Sequence, residues 1–124
     1  MFDHLGYEVA DLKKSAAFFE RALAPLGHKK LVEWPEYGVV GFGTNRPQFW
    51  LAKGAPHIQP DEVHICFSAS SRKQVDEFYA AAIAAGGKDN GRPGLRPEYH
   101  ESYYGAFVFD PDGFNIEAAC HSKE

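Results

Sequence analysis

The sequence predicts an α+β fold of two tandem β-α-β-β-β modules, their strands forming a curved mixed sheet around a central cleft. Three observations support this. Twice along the chain an alternating apolar strand pattern gives way to an amphipathic helical pattern that stops at glycine. The second occurrence superposes on the first at one offset, 60 residues (64 − 4): His4 falls on His64, Lys13 on Lys73, Phe18 on Phe78, Phe19 on Tyr79, Ala22 on Ala82, Ala24 on Ala84 and Gly27 on Gly87. The chain then closes on an apolar hairpin, Gly105 to His121, around an Asp110-Pro111-Asp112-Gly113 turn. Apolar matches alone arise between any two amphipathic helices, but paired histidines and paired glycines at one offset do not.

Module one occupies about residues 1–55 and module two about 61–124 of a single domain. Phe2 to Val9 alternates as a strand, with Leu5, Tyr7 and Val9 on one face and His4, Gly6 and Glu8 on the other. Asp11 caps a helix predicted from Leu12 to Leu26, which Gly27 ends. Strands follow at His28–Trp34, Tyr37–Gly43 and Gln48–Lys53, separated by Pro35-Glu36 and Thr44-Asn45-Arg46-Pro47. In the second module Glu62–Ala69 is a strand, Ser71 and Gln74 form a capping box, and a helix runs to about Ala85. The closing strands match at a larger offset, 67 (117 − 50), which sets Trp50 against Glu117. The seven additional residues (67 − 60) fall in Lys88–Tyr104, KDNGRPGLRPEYHESYY, expected to be a ligand-contacting loop.

The net charge of −4, the pI near 5.8 and the absence of a basic cluster argue against a nucleic-acid partner. No apolar run has the length that spans a bilayer, so no membrane partner is expected. The N-terminal MFDHLGYEV lacks the regions of a signal peptide, so a cytoplasmic location is expected. Cys66 and Cys120 stand in apolar strand-like runs without metal-site spacing and are expected to be buried free thiols. The DPDG turn lacks the further oxygen ligands of a calcium loop.

Glu117 lies in mid-strand between Ile116 and Ala118, and a carboxylate buried in such a strand needs a compensating charge. If the modules face one another, His4 and His64 point into one cleft and Glu117 joins them from the last strand. Two neutral imidazoles and a carboxylate can hold Fe(II), Mn(II), Ni(II), Co(II) or Zn(II), leaving positions open for substrate or water.

With this pattern the chain resembles the vicinal oxygen chelate superfamily, which includes glyoxalase I, extradiol dioxygenases, fosfomycin-resistance proteins and bleomycin-binding proteins. The resemblance spans essentially the whole chain, through DHLGYEVADLKKSAAFFERALAPLG, EVHICFSASSRKQVDEFYAAAIAAGG and YYGAFVFDPDGFNIEAACH. It implies a divalent metal held by His4, His64 and Glu117, a small oxygenated substrate chelated through two neighbouring oxygens, lyase or dioxygenase chemistry, and a homodimer. The family's remaining ligand position falls on Trp50, whose indole only donates a hydrogen bond. Glyoxalase I carries a carboxylate or similar ligand there, so the two-His, one-Glu set matches the extradiol dioxygenase branch instead. His100 and Tyr104 are the candidate proton-transfer groups. Trp50, Arg96, Tyr99 and Tyr103 are candidates for substrate binding, while His57 and His121 have similar chemistry in weaker positions. Whether His4 meets Glu117 of its own chain or of a partner is open. The alternative is a metal-free small-molecule binder like the bleomycin-sequestering members.

Overall fold

The computed structural model describes residues 1–55 and 59–124, so His57 lies outside the described residues. Module one contains β1 (Leu5–Val9), α1 (Leu12–Leu23), β2 (Lys29–Trp34), β3 (Val39–Gly43) and β4 (Phe49–Lys53). Module two contains β5 (His64–Ser68), α2 (Arg72–Ala84), β6 (Lys88–Leu95), β7 (Tyr104–Phe109) and β8 (Asn115–Cys120). Each module forms one four-stranded mixed sheet, in the orders β1-β4-β3-β2 and β5-β8-β7-β6. In both, the first strand runs parallel to the last and the other neighbours are antiparallel.

The sequence repeat is a repeat of register. Leu5 pairs with Phe49 and Gly6 with Trp50 in module one; Ile65 pairs with Ile116 and Cys66 with Glu117 in module two. These pairs reproduce the offsets of 60 (65 − 5) and 67 (116 − 49). The central strands differ by one residue from expectation. Phe42 opposes Phe49 and Val108 opposes Ile116, so β3 and β7 are related by 66 (108 − 42). The counterpart of Gly41 is therefore Phe107.

Local chemistry explains where the elements stop. Asp11 Oδ1 accepts the Lys14 N–H at 3.1 Å, and Ser71 Oγ accepts the Gln74 N–H at 3.2 Å, so both helices begin on a side-chain cap. Gln74 returns its bond to the Ser70 N–H rather than to Ser71. Helix α1 ends at Leu23, three residues before the predicted Leu26. Pro25 cannot donate to the helical ladder, and Ala24–Leu26 tightens into a 3-10 turn closed by Gly27 at φ 89°. Strand β3 starts at Val39 rather than Tyr37, because residues 35–38 turn through Gly38 at φ 63°.

The expected loop over 88–104 is the main correction. Its first half, Lys88–Leu95, is the edge strand β6, the counterpart of β2, and only residues 96–103 form a connection. The β6–β7 register slips between Asp89 and Gly91 and again between Gly91 and Gly94. Cys120 is buried as expected, whereas Cys66 is exposed on the sheet face away from the helices.

One continuous core joins the modules, with Phe18, Phe19, Phe42, Leu51, Phe78 and Ile116 fully buried. The two helices also pack against each other. A polar stitch runs beside this core. The Tyr7 hydroxyl of β1 donates to Asp110 Oδ2 at 3.2 Å, and the Ala10 N–H donates to Asp112 Oδ2 at 3.3 Å. Asp110 Oδ1 in turn accepts the N–H groups of Asp112 and Phe114, both at 2.9 Å. No helix among the described residues is long and apolar enough to cross a membrane.

Burial pushes the Asp110 carboxyl up to about 6, against the two backbone N–H bonds and the Tyr7 hydroxyl that favour its ionised form. A raised carboxyl stabilises the fold only while protonated: the contribution is complete below the unfolded value of 3.8 and lost as pH rises through about 6. A shift of this size corresponds to about 3 kcal/mol. Asp110→Asn keeps Oδ1 for both backbone bonds and offers its amide to Tyr7, so its urea-unfolding free energy should stay flat where the wild type declines between about pH 4 and pH 7. A wild-type decline that persists unchanged in Asp110→Asn assigns the pH dependence elsewhere.

Candidate metal centre

Strand alternation sends Ile116 and Ala118 toward the core and Glu117 to the opposite face of β8. Parallel pairing with β5 sets Cys66 beside Glu117 and His64 beside Asn115 on that face. His64 Nε2 lies 2.8 Å from Glu117 Oε1, and the Tyr103 hydroxyl donates to Oε2. Glu117 is nevertheless only 1% exposed, because Tyr103 and Phe107 close over it. Gly105 makes that closure possible: a Cβ there would stand 3.0 Å from Oε2 and 3.1 Å from the Tyr103 ring. Among the described residues the His64 imidazole is the one basic group in ion-pairing range of this carboxylate.

The carboxylate dominates its surroundings. Burial, reinforced by the bond to Glu117, pushes the Tyr103 phenol upward, so it stays a protonated donor. The Cys66 thiol is pushed up to about 12 by the packed groups around it and by Glu117. At neutral pH it is therefore a protonated thiol rather than a thiolate nucleophile.

The other predicted residues divide into three groups. His4 does not join this cluster as a metal-holding group among the described residues: its Nδ1 lies 2.7 Å from Asp3 Oδ1, and Asp3 also pairs with Arg46 at 3.2 Å. His4 lines a cleft of about 360 Å³ between β1, β4 and β5 that also includes Phe42, Phe49, Cys66 and Phe67. Trp50 lies on the same sheet face of module one as His4, over Gly41 and with Trp34 at 5.7 Å between ring centroids.

Arg96 and Tyr99 flank the cluster. The Arg96 guanidinium lies 5.5 Å from the Phe107 ring centroid and donates to the Arg92 carbonyl, while Tyr99 packs edge-on against Tyr103 at 4.9 Å. Tyr104 points the other way, its hydroxyl donating to Asp76 of α2 at 2.7 Å. It is therefore not brought together with Glu117. His100 touches Tyr103 and His121 rather than Glu117. Cys66 was absent from the predicted set, although its position two residues beyond His64 already put it on the same strand face.

The donors present fit a divalent cation in part. Two ligands at adjacent positions around a cation with bonds near 2.1 Å stand roughly 3 Å apart, and His64 Nε2 and Glu117 Oε1 are 2.8 Å apart. Among the described residues no third His, Cys, Asp or Glu completes the group within this chain. Trp50 supplies no ligand.

The family model of the Glyoxalase/Bleomycin resistance protein/Dioxygenase superfamily matches residues 1–118, and the chain belongs to that superfamily. It is 29% identical over 117 residues to a 2,2',3-trihydroxybiphenyl dioxygenase of Sphingomonas paucimobilis, covering 92% of this chain but 39% of the dioxygenase. The chain thus spans about two-fifths of that relative's length. It is 26% identical to the uncharacterized protein YqjT of Bacillus subtilis, covering 96% of this chain and 98% of the other. The crystal structure of a glyoxalase/bleomycin resistance protein from Albidiferax ferrireducens T118 superposes with a TM-score of 0.83 at 28% identity, over 98% of this chain and 99% of that one.

Glu117→Gln separates folding from ligation. The amide retains one acceptor for Tyr103 and one donor for His64, so stability in chelator should change by less than about 1 kcal/mol. Any divalent-metal retention shown by the wild type should be lost. Denaturant unfolding with and without metal checks both; a large loss of stability in chelator would make Glu117 a structural ion-pair residue.

Proposed function

We propose that this protein is a metal-dependent enzyme of lyase or dioxygenase type that acts on a small oxygenated molecule. His64 and Glu117 of one chain and the partner subunit's His4 would hold the metal across a homodimer. The observation that carries this reading is the buried Glu117 carboxylate, with a single imidazole 2.8 Å away and no Lys or Arg in ion-pairing range among the described residues. The similarity to a 2,2',3-trihydroxybiphenyl dioxygenase over nearly the whole of this chain supports the two-His, one-Glu set over a glyoxalase I set. The cross-subunit arrangement is supported by the exposed position of His4, apart from Glu117 within one chain.

A divalent cation at these residues would supply Lewis acidity toward two neighbouring substrate oxygens, or oxygen activation if it is iron. The chain's own part is separable. His64 and Tyr103 fix the two carboxylate oxygens of Glu117, and Phe107 keeps water from one side. Trp50 and Trp34, brought from the partner with its His4, would offer a flat apolar wall for a planar substrate. Tyr103, a phenol held protonated, is the donor nearest the carboxylate.

Metal content after reconstitution with Fe(II), Mn(II), Ni(II) and Zn(II) tests the reading. Wild type should hold about one ion per chain, and His4→Ala, His64→Ala and Glu117→Ala much less. If wild type retains no more than the variants, the metal-free binder becomes the better account. Mixing His4→Ala with Glu117→Ala chains tests the shared site, because each mixed dimer regains one intact site. Random mixing should restore about a quarter of the wild-type sites. Binding by the wild type without any recovery in the mixture places the site within one chain.

A further inference from the structure

His100 and His121 form a stacked pair next to the candidate centre. His100 Nε2 lies 2.6 Å from His121 Nδ1, with the rings 4.8 Å apart and inclined by 25°. A third contact fixes their tautomers. The Ser102 N–H donates to His100 Nδ1 at 3.1 Å, so that nitrogen carries the lone pair and the ring proton sits on Nε2. His100 Nε2–H therefore donates to His121 Nδ1, and His121 carries its own proton on Nε2. Both rings are neutral in this arrangement. A proton added at His100 Nδ1 opposes the Ser102 N–H, and one added at His121 Nδ1 opposes the His100 Nε2–H.

The pair fastens one end of the 96–103 connection. That segment is closed at its base by Arg96 N–H to the Tyr103 carbonyl at 2.8 Å. It is tied to the chain's last residues by His100–His121 and by Lys123 to Glu101 at 3.3 Å. Its last residue is Tyr103, which reaches Glu117. The Tyr103 ring stands edge-on to both imidazoles, 5.5 Å from His100 and 5.0 Å from His121. The titratable groups facing the pair are thus Tyr103, Tyr99 beyond it, and the Glu101–Lys123 ion pair; Glu124 is turned to the Arg72 N–H.

We propose that His100 and His121 form a proton-gated clasp, which holds the Tyr103 hydroxyl on Glu117 while both imidazoles are neutral and releases it when the pair takes up a proton. They are positioning residues that act through Tyr103. The functional meaning of the clasp rests on the reading of Glu117 as the site carboxylate, but the clasp itself is tested in metal-free protein.

Nitrogen NMR of labelled histidine, with the Tyr103 ring carbon assigned through Tyr103→Phe, provides the test. Near pH 8, where imidazoles are largely neutral, both rings should show an unprotonated Nδ1 and a protonated Nε2. On acidification, both rings and the Tyr103 signal should move in one common transition. The double variant His100→Asn/His121→Asn keeps side-chain amides at both positions but neither can take up a proton, so its Tyr103 signal should hold still over the same range. His121→Phe keeps a stacked ring but no acceptor, and protection of the Ser102 amide should fall by up to about tenfold near pH 8. His100 and His121 are both exposed, so these variants should fold. A Tyr103 signal that stays fixed while the wild-type imidazoles titrate overturns the clasp, as does one that titrates unchanged in the double variant. Because no metal is present, either result is independent of whether the centre binds metal.

Discussion

The parallel pairing of the first and last strands of each module is the constraint on which the rest depends. Parallel neighbours cannot be joined by a tight turn, so the chain must leave the sheet and return, and here it does so through a helix lying on one face. The opposite face of each sheet is then free of its own crossover. Because side chains alternate, the register alone decides which residues meet there, and in module two those are His64, Cys66, Asn115 and Glu117. A slip of one residue would send Glu117 into the core and Ile116 outward.

Two buried acids illustrate how different a similar environment can be. Asp110 takes two bonds from backbone N–H groups inside its own turn and one from Tyr7. Those backbone donors cannot leave without undoing the hairpin, so the carboxyl belongs to the architecture and joins the modules. Glu117 is held by two side chains, His64 and Tyr103, that can rotate away. A carboxylate whose partners are exchangeable can trade them for a ligand, and this difference, more than burial itself, separates a site from a strut.

Much of the fold was legible because duplication wrote it twice. The offset of 60 carried both first strands and both helices, and the histidine and glycine pairs at that offset distinguished it from chance amphipathicity. Carried a little further, the offset also takes β2, at Lys29–Trp34, onto 89–94, inside β6. Gly91, Pro93 and Gly94 speak for turns and hide that strand in the sequence; an edge strand tolerates them, since its outer backbone groups need no partner in the sheet. The meeting of His64 with Glu117 was legible from strand position. The convergence of Tyr103, His100 and His121 was not: residues 100 and 121 meet only through the return of β7 and β8, and no local pattern encodes that meeting.

The paired positions 41 and 50, and their counterparts 107 and 117, exchange bulk across neighbouring strands. Module one places a glycine opposite a tryptophan, and module two a phenylalanine opposite a glutamate. A Cβ on Gly41 would come within 3.0 Å of the Trp50 ring, so the indole occupies space its neighbour has vacated. An acid placed at position 50 would find no aromatic ring opposite it on β3 to shelter it, and a ring placed at 41 would collide with the indole. Making module one resemble module two at these positions therefore requires two coordinated substitutions, each unfavourable without the other.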